Sequence, residues 1–268
     1  MTRAGPIVIK VGGTAVEDER TAPPLWDAVA GFHRSHPGGV VLVHGGGKAV
    51  DRHLERLGIV SERREGIRIT PPEHMDEIAA ILAGVVNTKI VAALNTRAVA
   101  AVGLRLGDGG ALPTERATGY SFDPGCVGRV RADATDGCGL LELLLSNRYL
   151  PVLSSIGMDA EGRLLNVNAD DAAAGVAGRL RASALVLLTD VPGVLDGSKR
   201  VVPELTLRGV EGLIRDGTIT GGMIVKARAA AAAAGRSGVP VVILSGNDAS
   251  ALSSWAGGSP RGTRILPS

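Results

Sequence analysis

The chain is 268 residues long, 45% hydrophobic and 21% charged, so it can bury one large α/β core or the cores of two small lobes. A net charge of +2 with no basic run, and an aromatic content of 2%, argue against a polyanion-binding face and a stacking platform for nucleic acid. Cys126 and Cys138 form no CxxC pair and have no histidine at ligand spacing, so no zinc or other protein-held metal is expected and a reducing cytoplasm fits best.

In chain order, "PIVIKV" reads as a buried strand that delivers Lys10 to its tip just ahead of Gly12 and Gly13. Taken alone, such a lysine is most simply the point where a strand meets water. The helical "LWDAVAGFHRS" follows, then the strand "VVLVHG", the glycines Gly45, Gly46 and Gly47, and the helical "KAVDRHLERLG". This alternation predicts an α/β fold with a mostly parallel sheet and helices on both faces. The polar, alternating start of "GIVSERREGIRITPPEHMDEI" predicts an antiparallel hairpin before Pro71 and Pro72 open a long helix. Further strands are predicted at "VAAVGLRL", "YLPVLSSIG", "SALVLLTDV" and "GVPVVILSG", apolar enough to be buried on both faces. The tract "ARAAAAAAGRSG" reads as a helix with Gly235 as its stop. No stretch approaches the roughly 20 uncharged apolar residues of a membrane span, and "MTRAGPIVIKVGG" lacks the marks of a signal peptide. With neither repeat nor linker, one domain over 1–268 is expected, its lobes meeting near "GRLRASALVLL".

In parallel α/β sheets, ligands sit beyond the carboxyl ends of the strands, where helix N-termini present free N–H groups. The glycines fall there, although neither loop is a Walker A or a GxGxxG motif. In "TITGGMIVKARAAAA", Lys226 lies within the first two turns of a helix, where the dipole favours an acid over a cation. In "LLNVNADDAAAGVAG", Asn166, Asn168, Asp170 and Asp171 crowd a strand-to-helix junction, with Asn168 or Asp170 a candidate N-cap. Two lysines, two glycine loops and an acidic junction are the parts that phosphoryl transfer requires. His44 reads as a structural strand-end residue, and His33, His36, His53 and His74 as surface residues.

Nine segments in order, "IVIKVGG", "VLVHGGGKAVD", "GIRITP", "AVGLRLGDGG", "YLPVLSSIG", "LLNVNADDAA", "ALVLLTDVPGVLDG", "TITGGMIVK" and "GTRIL", make the chain resemble the amino acid kinase family, and within it the acetylglutamate kinase branch. The resemblance implies a three-layer αβα sandwich with a mainly parallel eight-stranded sheet. It implies an N-lobe, about 1–181, for the acyl amino acid and dimerisation, and a C-lobe, about 182–268, for ATP. It also implies transfer of the γ-phosphoryl group of ATP to the side-chain carboxylate of N-acetyl-L-glutamate. By the same resemblance Lys10 and Lys226 stabilise the transition state, Asp170 lies between them and orients both, and Gly13 and Gly46 offer N–H groups to the phosphoryl group. Gly46, Gly47, Arg68 and Asn166 hold the acyl amino acid, Arg68 as a clamp on its α-carboxylate. ATP lies along Thr189, Asp190, Val191, Pro192, Gly193, Val194 and Leu195 and along Thr218, Ile219 and Thr220, with Mg2+ held by phosphates and water.

The loop "PTERATGYSFDPGCVGRV" departs from the family pattern, and Asp171 adds a second acid beside Asp170. A carrier-linked or N-acetyl aminoadipate kinase is the nearest alternative, disfavoured by "HGGGKAVD" and "GIRITP". A silent sensor of the same fold and a dinucleotide-binding oxidoreductase are further alternatives, the first opposed by both lysines, the second by the missing GxGxxG. Arginine-regulated relatives form rings through an extra N-terminal helix. Only "MTRAGP" precedes the first strand here, so a homodimer without arginine inhibition is expected.

Overall fold

The computed structural model describes residues 5–12, 22–131 and 138–267. Its centre is an eight-stranded sheet in the order β12-β14-β13-β11-β1-β2-β8-β5. These strands are β1 (Ile7–Val11), β2 (Val40–His44), β5 (Ala101–Arg105), β8 (Leu150–Ser154), β11 (Ala184–Thr189), β12 (Glu204–Thr206), β13 (Val241–Ser245) and β14 (Thr263–Leu266). Every pairing is parallel except β13 with β14, so the sheet is mainly parallel, as the resemblance implies.

The period of two along each strand divides the core. Ile7, Ile9 and Val11 pack on one face with α1 (Ala22–Ser35), α2 (Gly47–Arg56), the helical segment α3 (Pro72–Asn95) and α8 (Ala249–Ala256). Val8, Val41 and Val43 face the other layer, α4 (Gly139–Ser146), α5 (Ala169–Arg179), α6 (Leu207–Arg215) and α7 (Gly222–Ser237). Lys10 shares its parity with Val8 and therefore points toward the α5 layer.

The hairpin before Pro71 is present as β3 (Arg63–Arg64) against β4 (Ile67–Arg68), and Pro72 opens α3. That helix contains a π turn over Ala80–Val86, which the hydrophobic period did not signal. It corrects the membrane reading as well, being long and apolar enough to span one by length and composition. Met75, Ile78, Ile81, Leu82, Val86, Ile90 and Leu94 nonetheless turn into the core, which is where its apolar residues are used.

Four further sequence readings are corrected. The segment 113–130, read as a loop, carries β6 (Thr114–Arg116) and β7 (Val127–Val130), which join β9 (Ile156–Met158) and β10 (Leu164–Val167) in a second sheet. "VAAVGLRL" forms the edge strand β5, half exposed because nothing pairs beyond it. Helix α7 runs through Gly235 and stops at Gly238, whose φ of 67° is the left-handed cap that ends it. His33 is buried, with Nε2 3.2 Å from the Arg148 carbonyl, because its helix face turns inward.

Candidate active site

Register brings three loop starts level, since Val11 pairs with His44 on one side and Leu188 on the other. The glycine loop after β1, the Gly45–Gly47 loop after β2 and the 189–195 loop after β11 therefore leave the sheet side by side. Gly13 lies outside the described residues.

At this edge the helix starts differ. Asn168 caps α5, its side chain accepting from the Asp170 and Asp171 N–H groups at 2.8 and 3.3 Å. The cap is thus Asn168, and the Asp170 carboxylate is released to meet Lys10 Nζ at 2.9 Å. By contrast α2 and α7 begin at Gly46 and Gly221 with no side-chain cap; first-turn N–H groups of α2 are left for an anion, whereas in α7 the Met223 and Ile224 N–H groups already meet the Thr220 and Gly221 carbonyls. A Cβ on Gly46 would come within 2.8 Å of Leu82 Cδ2, so a side chain there would have to displace the end of Leu82 where α3 approaches closely. Gly47 borders the cleft opposite Arg63 and Arg68.

Lys226 Nζ takes Asp190 at 2.6 Å, and Asp170 serves Lys10. Asp190 starts the loop after β11 and belongs to the same side of the site as α7, whereas the Asn168 cap turns Asp170 toward β1. The hydrogen bond from Lys226 does most to hold the Asp190 carboxyl below the usual range, burial opposes it, and the charge of nearby Lys48 adds to it. Lys48 follows the glycine triplet and precedes Ala49, where a Walker A motif would need Ser or Thr, and the sequence reading gives it no role. Its place in the first turn of uncapped α2, against the helix dipole, was the available signal.

The four residues that the resemblance assigns to the acyl amino acid, Gly46, Gly47, Arg68 and Asn166, converge on one cleft of about 320 Å³. Arg68 is 7% exposed. Its Nη1 donates to Asp51 at 2.5 Å and to Ser61, and its Nη2 to the Gly47 carbonyl at 3.0 Å. Of the five guanidinium N–H groups, the Nε–H and one Nη2–H have no partner among the described residues. Burial acts to raise the Asp51 pKa, but Arg68 and Arg63 outweigh it and hold the group below its ordinary value. Asn166 Nδ2 donates to Thr70 Oγ1 at 3.1 Å. Asp51 and Thr70, which support these two side chains, stand in the segments "VLVHGGGKAVD" and "GIRITP" of the resemblance but receive no role there, and Ser61 stands in none of its nine segments.

On the other side, Thr189 and Val191 close a small turn, with Val191 N–H 3.3 Å from Thr189 Oγ1, while Asp190 and Pro192 are exposed. At Gly193 a Cβ would meet Thr263 Oγ1 and Val201 Cγ1, both at 2.8 Å. The chain then turns inward: Val194 is fully buried and Leu195 bridges Val201. Thr218 and Thr220 flank the buried Ile219 just before α7. The side chains of Val194 and Ile219 are out of a nucleotide's reach, and their N–H groups are already given to Thr263 Oγ1 and the Leu213 carbonyl.

His44 is buried, with Nδ1 2.9 Å from the Gly45 carbonyl and Nε2 3.0 Å from Asn87 Nδ2. Burial, opposed only by the Gly45 hydrogen bond, lowers its pKa to about 4. The neutral ring with its proton on Nδ1 satisfies both contacts, which is the structural role read from the sequence.

Solved structures share this architecture. The smu.665 protein of Streptococcus mutans UA159 is 28% identical, with a TM-score of 0.72, over 98% of this chain and 99% of that one. N-acetylglutamate synthase from Neisseria gonorrhoeae, complexed with coenzyme A and N-acetyl-glutamate, is 24% identical with a TM-score of 0.82, and the match covers 98% of this chain but 60% of the synthase. Carbamate kinase from Giardia lamblia bound to AMP-PNP is 19% identical with a TM-score of 0.66 over the full length of both. The sequence profile of the amino acid kinase family matches residues 5–245, and the chain belongs to that family.

Proposed function

We propose that the protein uses ATP to phosphorylate the side-chain carboxylate of N-acetyl-L-glutamate, giving N-acetyl-L-glutamyl 5-phosphate, the second step of arginine biosynthesis. The observation that carries this reading is the arrival of Lys10 and Lys226, each paired to an aspartate, beside a cleft that holds Arg68 and Asn166. In the proposed step a carboxylate oxygen forms a bond to the γ-phosphorus while the bond to the β,γ-bridging oxygen breaks, its electron pair leaving with ADP. The lysines and the free first-turn N–H groups of α2 meet the charge on the transferring group. The acceptor has an ordinary pKa of about 4.3 and is already ionised near neutrality, so no general base is needed. The buried, neutral His44 agrees with that.

Arg68 would bind the α-carboxylate through its two remaining N–H groups, a charge-assisted contact. Among the described residues no group of three or more His, Cys, Asp or Glu is placed to hold a metal, so Mg2+ would be carried by phosphate oxygens and water. We extend the proposal to a cytoplasmic homodimer joined across the outer face of α3, where Val85 is 45% exposed. Light scattering that gave a monomer mass would end that part.

A coupled ATPase assay across N-acetylglutamate, glutamate, aspartate and N-acetyl-aminoadipate tests the substrate. N-acetylglutamate should have the highest kcat/KM. One methylene is worth only about 1–3 kcal/mol in such a site, so slow turnover of the aminoadipate derivative is compatible. Faster turnover of that acid would move the assignment to the lysine-type branch, and no turnover of any would favour a sensor.

A further inference from the structure

Asp171 is the acid that the family pattern leaves without a task. It follows Asp170 in the first turn of α5, and the two carboxylates diverge. Asp170 meets Lys10, and Asp171 Oδ1 meets Arg236 Nη2 at 2.5 Å. Arg236 lies in the last turn of α7, the helix whose second turn carries Lys226. The C-terminal ends of α5 and α7 touch, since a Cβ on Gly178 would stand 3.1 Å from the Ser237 carbonyl. Arg236 therefore reaches back along α5 to its first turn.

Between these ends the buried residues are mostly alanine: Ala173, Ala174 and Ala177 on α5, and Ala227, Ala230, Ala233 and Ala234 on α7. Helices fix their relative position by seating ridges of side chains in grooves, and methyl groups make shallow ridges. Such a surface allows close approach and resists sliding or rotation weakly. A directional contact must supply the register.

We propose that Asp171 and Arg236 form a positioning pair that sets α7 against α5, and so sets Lys226 relative to Lys10 and Asp170. The proposal rests on the kinase reading above. The pair is half exposed, at 42% and 52% of the two side chains, and exposed pairs add little to stability, so its loss leaves the fold in place. It also removes a charge problem. Asp171 lines the acyl amino acid cleft beside Asp170, where a second bare carboxylate would oppose incoming phosphate. Asp171 also lines a second groove, where it is faced by Arg236 from α7, Arg129 and Arg131 from the end of β7, Arg179 and Arg181 from the end of α5, and Glu142 from α4. Burial pushes the Asp171 carboxyl up and its neighbour Asp170 adds to that, with Arg236 pulling the other way.

The test compares Arg236→Gln, Asp171→Asn, Arg236→Lys and the double variant Arg236→Gln/Asp171→Asn. Small misplacement of reacting groups lowers kcat steeply, so each of the first two should lose about fivefold to twentyfold in kcat, with both KM values within about twofold. Arg236→Lys should recover most of the loss. The double variant should be no worse than the poorer single one, because the partners act as a unit. In Arg236→Gln any part of the acid limb of the kcat profile that comes from protonation of Asp171 should disappear, since no pair remains for that proton to break. Single variants within about twofold of wild type, or losses that multiply in the double variant, would overturn the proposal. Hydrogen exchange over α7 gives a reading independent of the acceptor. If wild type does not turn over N-acetylglutamate, the substrate reading falls; faster exchange near Lys226 in both single variants then upholds the pair, and unchanged exchange rejects it.

Discussion

The two sides of the cleft solve the same electrostatic problem in different ways. On the acyl amino acid side the cations are fixed by protein contacts. Arg68 is 7% exposed and held by Asp51, Ser61 and Gly47, and Lys10 is 16% exposed against Asp170. On the nucleotide side Lys226 and Asp190 are 32% and 65% exposed, and their pair leads from an open loop to an uncapped helix. The first side is preorganised, which lowers the cost of binding a small acid. The second is held by an exposed contact, which under the proposed reaction phosphate oxygens would replace, so that part of the nucleotide's binding energy would go into freeing Lys226.

The severest way to break this contrast is to remove each lysine. If both face the transferring group, Lys10→Ala and Lys226→Ala should each lower kcat by on the order of 10² or more, as loss of a preorganised donor does elsewhere. Only Lys226→Ala should also raise the KM for ATP, because that lysine lies on the nucleotide side. Either variant keeping more than about half of wild-type kcat at saturating substrates would remove that lysine from the chemistry.

Arg68→Ala sharpens the fixed side. Loss of a charge-assisted contact is worth roughly 1.5–3 kcal/mol, so the apparent affinity for N-acetylglutamate should fall by about tenfold to 150-fold, with that for ATP nearly unchanged. Equal losses for both substrates would show that Arg68 shapes the whole cleft through Asp51 and Gly47 and is no clamp.

His44 offers a pH test of the same rigidity. Its folded pKa of about 4 lies below the ordinary 6.5, so the unfolded chain takes up a proton first as the pH falls. The stability present above pH 6.5 should therefore drain between that value and about 4, with a slope near 1.4 kcal/mol per pH unit from this group at its steepest. His33, also lowered, chiefly by burial, adds to the wild-type slope. In His44→Gln the melting temperature should vary less steeply over that interval while the pH dependence of kcat stays put. A shift in the kcat profile would give His44 a role in the reaction.

The fixed side was also harder to read in the sequence than the open one. The sheet was legible because its central strands are apolar runs ended by glycine, and Lys10 and Lys226 stood out against strand and dipole expectations. What holds the clamp was not legible. Asp51 and Ser61 come together with Arg68 only because α2 and the β3–β4 hairpin fold over one another, and no local pattern encodes that. Helix α3 showed its length but not its π turn, whose Leu82 packs where a side chain on Gly46 would have to displace it. The Lys226–Asp190 contact was not legible for a related reason. Asp170 and Asp190 are both acids at a strand end, and which lysine each meets depends on the Asn168 cap and on strand parity, settled only when the layers assemble.

The smallest effect bears most directly on the open side. If Asp190 holds Lys226 in waiting, Asp190→Asn should release the ammonium to phosphate without disturbing the acyl amino acid cleft. Exposed pairs are worth about 0.2–1 kcal/mol, so the KM for ATP should fall by no more than about fivefold, with kcat and the KM for N-acetylglutamate within about twofold. The advantage should depend on pH with a defined sign. Lys226 keeps the Asp190 carboxyl below the usual range, so the wild-type pair stays ionised throughout neutral and mildly acidic conditions and weakens only below that range. Variant and wild type should then differ at neutral pH and converge in acid. A higher KM for ATP in the variant would mean that Asp190 orients Lys226 in the complex as Asp170 orients Lys10, and the two sides of the cleft would be alike after all.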